Sequence, residues 1–369
     1  MTVAKVPQFN LGVSTTTGDD GFVTVPTKSI STKNQVYLPT WRKDEKYKPL
    51  DFSPHIDPGS RADPSFPNLF SEGSSVKTKN VTPKFGTEVF NVQLSELNDE
   101  GKDELALFVA QRGLAIFRNQ DFASKGPGFI TEYAKHFGPL HVHPTTGSPK
   151  GHPEIHVVYR PPGEKLYFEN RNNLVFFHSD VSYELQPPGT TFFTVLESPE
   201  SGGDTLFADT VEAYNRLSPE FQKRLEGLHV LHSSKEQADS SLNQGGFVKR
   251  APVSNIHPLV RIHPVTGKKA LYVNPQFSRK IVELKEEESN YLLKFLYDHV
   301  AQSHDLQARA RWEPNTVVLW DNRVTSHSAI FDWETSEPRL AVRLTPQAER
   351  PIDKLGNLNK PDKNRVLEE

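Results

Sequence analysis

Cysteine is absent from all 369 residues. That excludes disulfides, thiolate metal sites and a cysteine nucleophile together, so any metal centre must use nitrogen and oxygen donors. Charge of one sign is also lacking. Lys+Arg 43 against Asp+Glu 46 leaves a formal net charge of −3, and nothing global draws the chain to nucleic acid or to an anionic membrane. No stretch approaches the roughly 18 apolar residues of a membrane span. The opening Met1-Thr-Val-Ala-Lys-Val-Pro7 has no apolar signal core, and the closing Leu367-Glu-Glu is no recognised address. These absences predict a soluble, cytoplasmic protein with neither nucleic-acid nor membrane partners.

Proline and glycine, by contrast, are plentiful, at 29 and 22 residues. With 35% hydrophobic residues there is material for a core, and the breaker content favours β structure over a helical bundle. Composition divides the chain into three. Residues 1–80 form an irregular arm rich in Ser, Thr, Lys, Asp and Pro, expected to wrap over the main body or a partner subunit, with Phe66, Leu69 and Phe70 as anchors. Residues 81–350 form one dense region, and 351–369 a charged, extended tail.

Within the dense region the spacing predicts helices over 99–112, stopped by Gly113, over 130–137, and over 286–300. The last carries Tyr291, Leu292, Phe295, Leu296 and His299 as its packed stripe. Strands are predicted over 89–94, 114–118, 155–159, 174–178, 190–196, 205–208, 228–232, 259–263, 270–273, 316–320 and 339–344. Many short strands with few helices predict a mainly β fold with flanking helices, a jelly-roll or barrel of antiparallel strands.

With cysteine gone, the 14 histidines are the nitrogen ligands available. In Phe176-Phe-His-Ser-Asp-Val-Ser-Tyr183, His178 and Asp180 stand two apart, so on a strand both side chains point the same way. One distant histidine would complete a two-histidine, one-carboxylate set, which leaves open positions on an Fe(II) ion. Alone, His-x-Asp is common in ordinary polar strands. Gly202-Gly-Asp-Thr205 follows, readable by itself as a hairpin turn. Downstream come Trp320-Asp-Asn-Arg…His327 and Pro338-Arg-Leu-Ala-Val-Arg343. Arg339 and Arg343 share one strand face while Leu340, Val342 and Leu344 share the other. Two arginines on a core strand are costly unless they face a cavity that holds anions; on an edge strand they would simply face water.

Taken in order, these motifs resemble the taurine dioxygenase (TauD/TfdA) family of Fe(II)- and 2-oxoglutarate-dependent oxygenases, including its fungal sulfonate dioxygenases. The likeness runs from about residue 85 to 347. It implies a double-stranded β-helix (cupin-like jelly-roll) core. It also implies that His178, Asp180 and His327 hold Fe(II), with 2-oxoglutarate and O2 as cosubstrates. Thr205 and Arg339 would hold the far carboxylate of 2-oxoglutarate, Arg343 a substrate sulfonate, and His143 and Phe277 the rest of the substrate. Charge counting agrees: ferrous ion, Asp180, dianionic 2-oxoglutarate and Arg339 cancel, and Arg343 is left for one further anion.

Two positions depart from the family pattern. Thr146 replaces a taurine-pocket tyrosine, and Leu174, beside Asn173, replaces an asparagine. A drier pocket is expected. The implied reaction hydroxylates a small anionic substrate as 2-oxoglutarate becomes succinate and CO2; with an organosulfonate the product collapses to aldehyde and sulfite. An amino acid, aryloxy acid, sulfate ester or purine-like substrate keeps the same cofactor chemistry, and a non-catalytic cupin-like binding protein is the alternative outside enzymology.

The other histidines receive lesser roles. His141 and His143 share a strand spacing, and His229 and His232 are placed near the core. His152, His156, His257 and His263 are read as surface or hydrogen-bonding residues, and His299 as a satisfied core histidine. Trp312 and Trp320 are read as packing residues, Trp320 also as a brace for the turn leading to His327; Asp321, Asn322 and Arg323 are read as groups supporting the site or the structure. The long arm and the family's habit imply a homo-oligomer, a dimer or tetramer.

Overall fold

A computed structural model of the chain describes residues 15–49, 51–71, 75–163, 176–243, 245–333 and 336–360. Its frame is a seven-stranded sheet in the order Lys77–Asn80, Thr87–Phe90, Leu114–Phe117, Val317–Asp321, Thr190–Glu197, Arg339–Leu344, His156–Arg160. Every neighbouring pair is antiparallel except Thr87–Phe90 beside Leu114–Phe117. Parallel neighbours need a crossover, and the helix Asp99–Arg112 supplies it. Facing this sheet is a three-stranded one in the order Gln307–Ala310, Thr205–Asp209, Thr325–Ala329. Residue 178 extends it by pairing with residue 327. The two sheets make the double-stranded β-helix that the sequence predicts.

The strand alternation resolves the question of the two arginines. Arg339–Leu344 is flanked on both sides, by Thr190–Glu197 and by His156–Arg160, so it is an interior strand rather than an edge. Leu340, Val342 and Leu344 enter the core beneath the sheet with Leu105, Val109 and Phe192. Arg339 and Arg343 are thereby turned to the space between the two sheets.

The long helix spans Glu286–Gln302, and its buried face is Ser289, Leu293, Leu296 and Val300, which keeps Leu296 of the predicted stripe, with Leu292 packed at its margin, and turns Tyr291 and Phe295 outward. Tyr291 is 78% exposed and Phe295 47%. A run of six aromatic and aliphatic residues in one helix offers two overlapping stripes, and the neighbouring strands select the one with Leu293 and Val300. His299, half-buried, bonds through Nε2 to the Ala213 carbonyl at 2.8 Å.

The segment before the main sheet packs closely. Val23, Val25, Ile30, Tyr37, Leu38, Trp41 and Leu69 all join the core under the large sheet, and Phe66 and Phe70 meet Phe108 edge-on. At the other end, Asn359 bonds both backbone groups of His55. Among the described residues no helix is long and apolar enough to cross a membrane.

Candidate active site

All eight residues singled out in the sequence line one cavity of about 370 Å³ between the two sheets: His143, His178, Asp180, Thr205, Phe277, His327, Arg339 and Arg343. At its floor the backbones of His178 and His327 pair reciprocally, at 2.9 and 2.8 Å. That pairing brings two residues 149 positions apart into register, with ring centroids 4.2 Å apart. The Nε2 atoms of His178 and His327 lie 3.7 and 3.6 Å from the Asp180 Oδ1. The three donor groups converge within 4.8 Å, the one such cluster among the described residues.

Protonation suits metal binding. Burial, with the positive charges nearby, holds both imidazoles below their ordinary range, His327 down to about 3. Both are neutral. The Nδ1 of His178 bonds to the Phe176 carbonyl at 2.9 Å, which puts the proton there and leaves Nε2 as a free lone pair. Burial alone would raise the Asp180 carboxyl, but the Arg343 guanidinium keeps it below the usual carboxylate range. The Asp180 Oδ2 and His327 Nδ1 are buried without a hydrogen-bond partner among the described residues. That leaves one Asp180 oxygen available as a ligand while Arg343 holds the other.

Surrounding residues hold this cluster in place. The Asn322 side-chain oxygen accepts from the Asp180 N–H at 3.0 Å and from the Trp320 indole at 3.1 Å, and its amide donates to the Thr191 hydroxyl. Phe207 stacks on His327, and Trp320 leans on both rings. The support expected of Trp320 and Asn322 is therefore direct.

Arg339 sits deeper, 6% exposed, and reaches no carboxylate among the described residues. Among the described residues its one hydrogen bond is a long one of 3.3 Å to the Gly203 carbonyl, and its Nε is without an acceptor. Burial, with Arg160 adding to it, pushes the guanidinium down to about 10. The diglycine of the sequence motif explains how the backbone comes so near. Gly202 and Gly203 have φ of +87° and +71°, and a Cβ on Gly203 would stand 3.3 Å from the Arg339 Nε. Thr205 opens the next strand and faces the same cavity. Thus an uncompensated guanidinium and a hydroxyl share one end of the pocket.

Arg343 is engaged. It donates to Asp180 Oδ1 at 2.6 Å and to His156 Nδ1 at 2.6 Å, leaving Nε–H without an acceptor among the described residues. His156, read in the sequence as a surface or hydrogen-bonding residue, hydrogen-bonds at the cavity wall. It faces Arg343 across the strand pair, and its ring lies 4.2 Å from that of His143. Only strand pairing reveals it, because its sequence neighbours carry no motif. Burial above all, with Arg343 next, keeps His143 and His156 well below their ordinary range and so neutral. Phe277 meets His178 edge-on. Trp312 and Trp320, read as packing residues, also line the cavity, as do Pro39, Trp41 and Phe247. Leu174 and Asn173 lie outside the described residues.

A jelly roll that encloses two imidazoles, a buried carboxylate and two guanidinium groups, one buried and one largely so, has the donors for a single metal ion and the charge for an anion beside it. The comparisons with known proteins narrow this class. The family described as taurine catabolism dioxygenase TauD, TfdA family matches residues 77–345. An alpha-ketoglutarate-dependent sulfonate dioxygenase of Saccharomyces cerevisiae is 56% identical over 328 residues, 88% of this chain and 80% of the yeast protein. An alpha-ketoglutarate-dependent dioxygenase of Penicillium expansum is 46% identical, over 86% of this chain and 90% of its own. The crystal structure of a taurine dioxygenase from Burkholderia xenovorans superposes with a TM-score of 0.61 at 27% identity, covering 75% of this chain and 91% of that one. The chain belongs to the TauD/TfdA family, and with it to the 2-oxoglutarate-dependent dioxygenases.

Proposed function

We propose that this enzyme oxidises a small organosulfonate at the expense of 2-oxoglutarate and O2, releasing an aldehyde, sulfite, succinate and CO2. His178 and His327 would hold Fe(II) through Nε2, and Asp180 through a carboxylate oxygen. The observation that carries the reading is the convergence of these three donors beside a buried guanidinium that lacks a carboxylate.

The donor set fits ferrous iron: two neutral imidazoles and one carboxylate, all supported from behind, on one side of an ion whose other side faces the cavity. Bound there, the iron supplies oxygen activation and the oxidising power for C–H hydroxylation. The chain's own residues do the rest. Arg339 and Thr205 are suited to the far carboxylate of 2-oxoglutarate, where a planar fork meets its match in a carboxylate and the anion relieves a buried unpaired charge. Arg343 carries the second positive charge, with Nε–H open to a sulfonate. Held by Asp180 and His156, it is fixed in direction before substrate arrives, and His143 and Phe277 close the pocket around the reacting carbon. The low-dielectric walls keep water from the oxidant. The name of the yeast relative and the surplus of positive charge both favour a sulfonate. A sulfate ester or carboxylate presents similar oxygens, and sulfite release discriminates against both.

The test is a sulfite assay over a sulfonate panel, paired with an anaerobic difference spectrum on adding Fe(II) and then 2-oxoglutarate. A metal-to-ligand absorption band that needs both, together with sulfite formed in step with succinate, is expected. Succinate without sulfite from any sulfonate would refute the substrate; no band at all would refute the metal site.

A further inference from the structure

The family match begins at residue 77, yet part of the cavity wall comes from before it. Pro39 and Trp41 line the same pocket as Arg343, His143 and Phe277. Their segment is strapped across the pocket at both edges. On one side Thr40 and Ser148 exchange backbone hydrogen bonds of 2.8 and 3.0 Å. The approach there is so close that a Cβ on Gly147 would stand 2.8 Å from the Pro39 Cβ. On the other side the Tyr47 N–H donates to the Lys249 carbonyl at 2.7 Å. Between these ties the Trp41 indole stacks on Phe247, with centroids 5.4 Å apart and planes 16° from parallel. Residues 143–148 run from the anion end to this strap, with His143 at one end and Gly147 and Ser148 at the other.

Two features say what this wall receives. First, Asp180 is the one carboxylate among the described residues lining the cavity, and Arg343 already engages it. Among the described residues a substrate ammonium finds no carboxylate of its own. Second, the aromatic pair does not offer itself as a cation platform. Lys249 is buried, and its ammonium stands 5.9 Å from the Phe247 ring centre, so that ring already carries a cation. What remains is a flat apolar face beyond the anion-binding arginine.

We propose that Trp41, with Phe247 and Pro39, selects the tail of the substrate, so that the preferred sulfonates carry an alkyl or aryl group in place of the ammonium of taurine. The inference rests on the sulfonate reading above and adds to it the part of the molecule away from the reacting carbon. Moving one methylene from water onto such a wall tightens binding about fourfold when burial is complete.

Calorimetric titration of the iron- and 2-oxoglutarate-loaded enzyme under anaerobic conditions tests this, with taurine, ethanesulfonate and hexanesulfonate as probes. Hexanesulfonate is expected to bind at least tenfold more tightly than either two-carbon compound. Trp41→Ala and Phe247→Ala should each erase most of that preference, while Trp41→Phe retains it. A titration with 2-oxoglutarate in each variant reports that the fold survives. Taurine binding as tightly as hexanesulfonate, or a chain-length preference that persists in both alanine variants, overturns the proposal. The two readings fail separately. Efficient sulfite release from taurine with hexanesulfonate rejected leaves the sulfonate reading and removes this one. Binding that rises with chain length but yields no sulfite does the reverse.

Discussion

Arg323 and Arg339 are both buried in the same jelly roll, at 1% and 6% exposure, and their surroundings are opposite. Arg323 is saturated. It donates to Asp321 at 2.6 and 2.8 Å, to Asp57, and to Glu349 at 3.2 Å. Arg261 shares Glu349 at 2.5 Å, and His263 meets Asp321 at 3.0 Å. Burial would weaken the Arg323 charge, but three carboxylates outweigh it and hold the guanidinium well above its ordinary value. Arg339 has no such company among the described residues, and burial pushes it the other way. A closed network of this kind joins distant parts of the chain, here residues 57, 261, 321 and 349. A buried cation kept without its anion marks a place where the anion arrives from solution. Position in the core therefore does not separate structural from functional arginines; the tally of partners does.

The contrast can be broken at several points. The largest effect is expected at the metal cluster, where Ala at His178, Asp180 or His327 should bring turnover below detection and lower the iron content of the purified protein; full activity in any one variant would remove that residue from the site. Arg323→Met should then cost about 3–5 kcal/mol of stability, because it strands three carboxylates in the interior, and a thermal or denaturant melt reads this directly. Arg339→Met should behave differently, leaving stability nearly unchanged while raising the 2-oxoglutarate requirement roughly 10- to 100-fold, the loss of about 1.5–3 kcal/mol for a charged hydrogen bond. Equal destabilisation by the two arginine variants would erase the distinction drawn between them.

A smaller effect concerns pH. Burial, mainly, keeps His143, His156 and His232 well below the ordinary value and so neutral when folded. Below about pH 6.5 the unfolded chain binds protons there that the folded chain does not. Stability contributed by their neutrality is therefore complete above that pH and is lost as pH falls. Each such histidine contributes a slope of about 1.4 kcal/mol per pH unit. Calorimetric melts between pH 7 and 5 should trend downward, and His232→Gln should flatten that trend by one histidine's share.

Much of the site was legible because strand geometry has a period of two. Arg339 and Arg343 share a face for that reason. His178 is an isolated bridge residue and Asp180 lies in the turn after it, so that turn, and not the strand expected to end at 178, brings the two together. Helix ends were legible where a glycine follows, as at Gly113 after Asp99–Arg112. The stripe of the Glu286–Gln302 helix was misread because its apolar residues suffice for two faces, and only the strands beneath it choose. His156 was missed because its partner Arg343 lies 187 positions away and nothing local marks it. Trp41 was missed for the same reason, in a segment whose composition reads as irregular.

By itself the sequence determined which atoms are available for chemistry: no sulfur ligand from cysteine, a His-x-Asp pair two residues apart, and two arginines in phase on one strand. Those are local properties, carried by residue identity and the pleat of a strand. The tertiary structure decided which of them meet, that Arg339 stays without a carboxylate while Arg323 is saturated, and that an N-terminal tryptophan completes the wall of the pocket. Pairing across the sheets and close approach of distant backbone produce these outcomes, and both depend on how the whole chain packs.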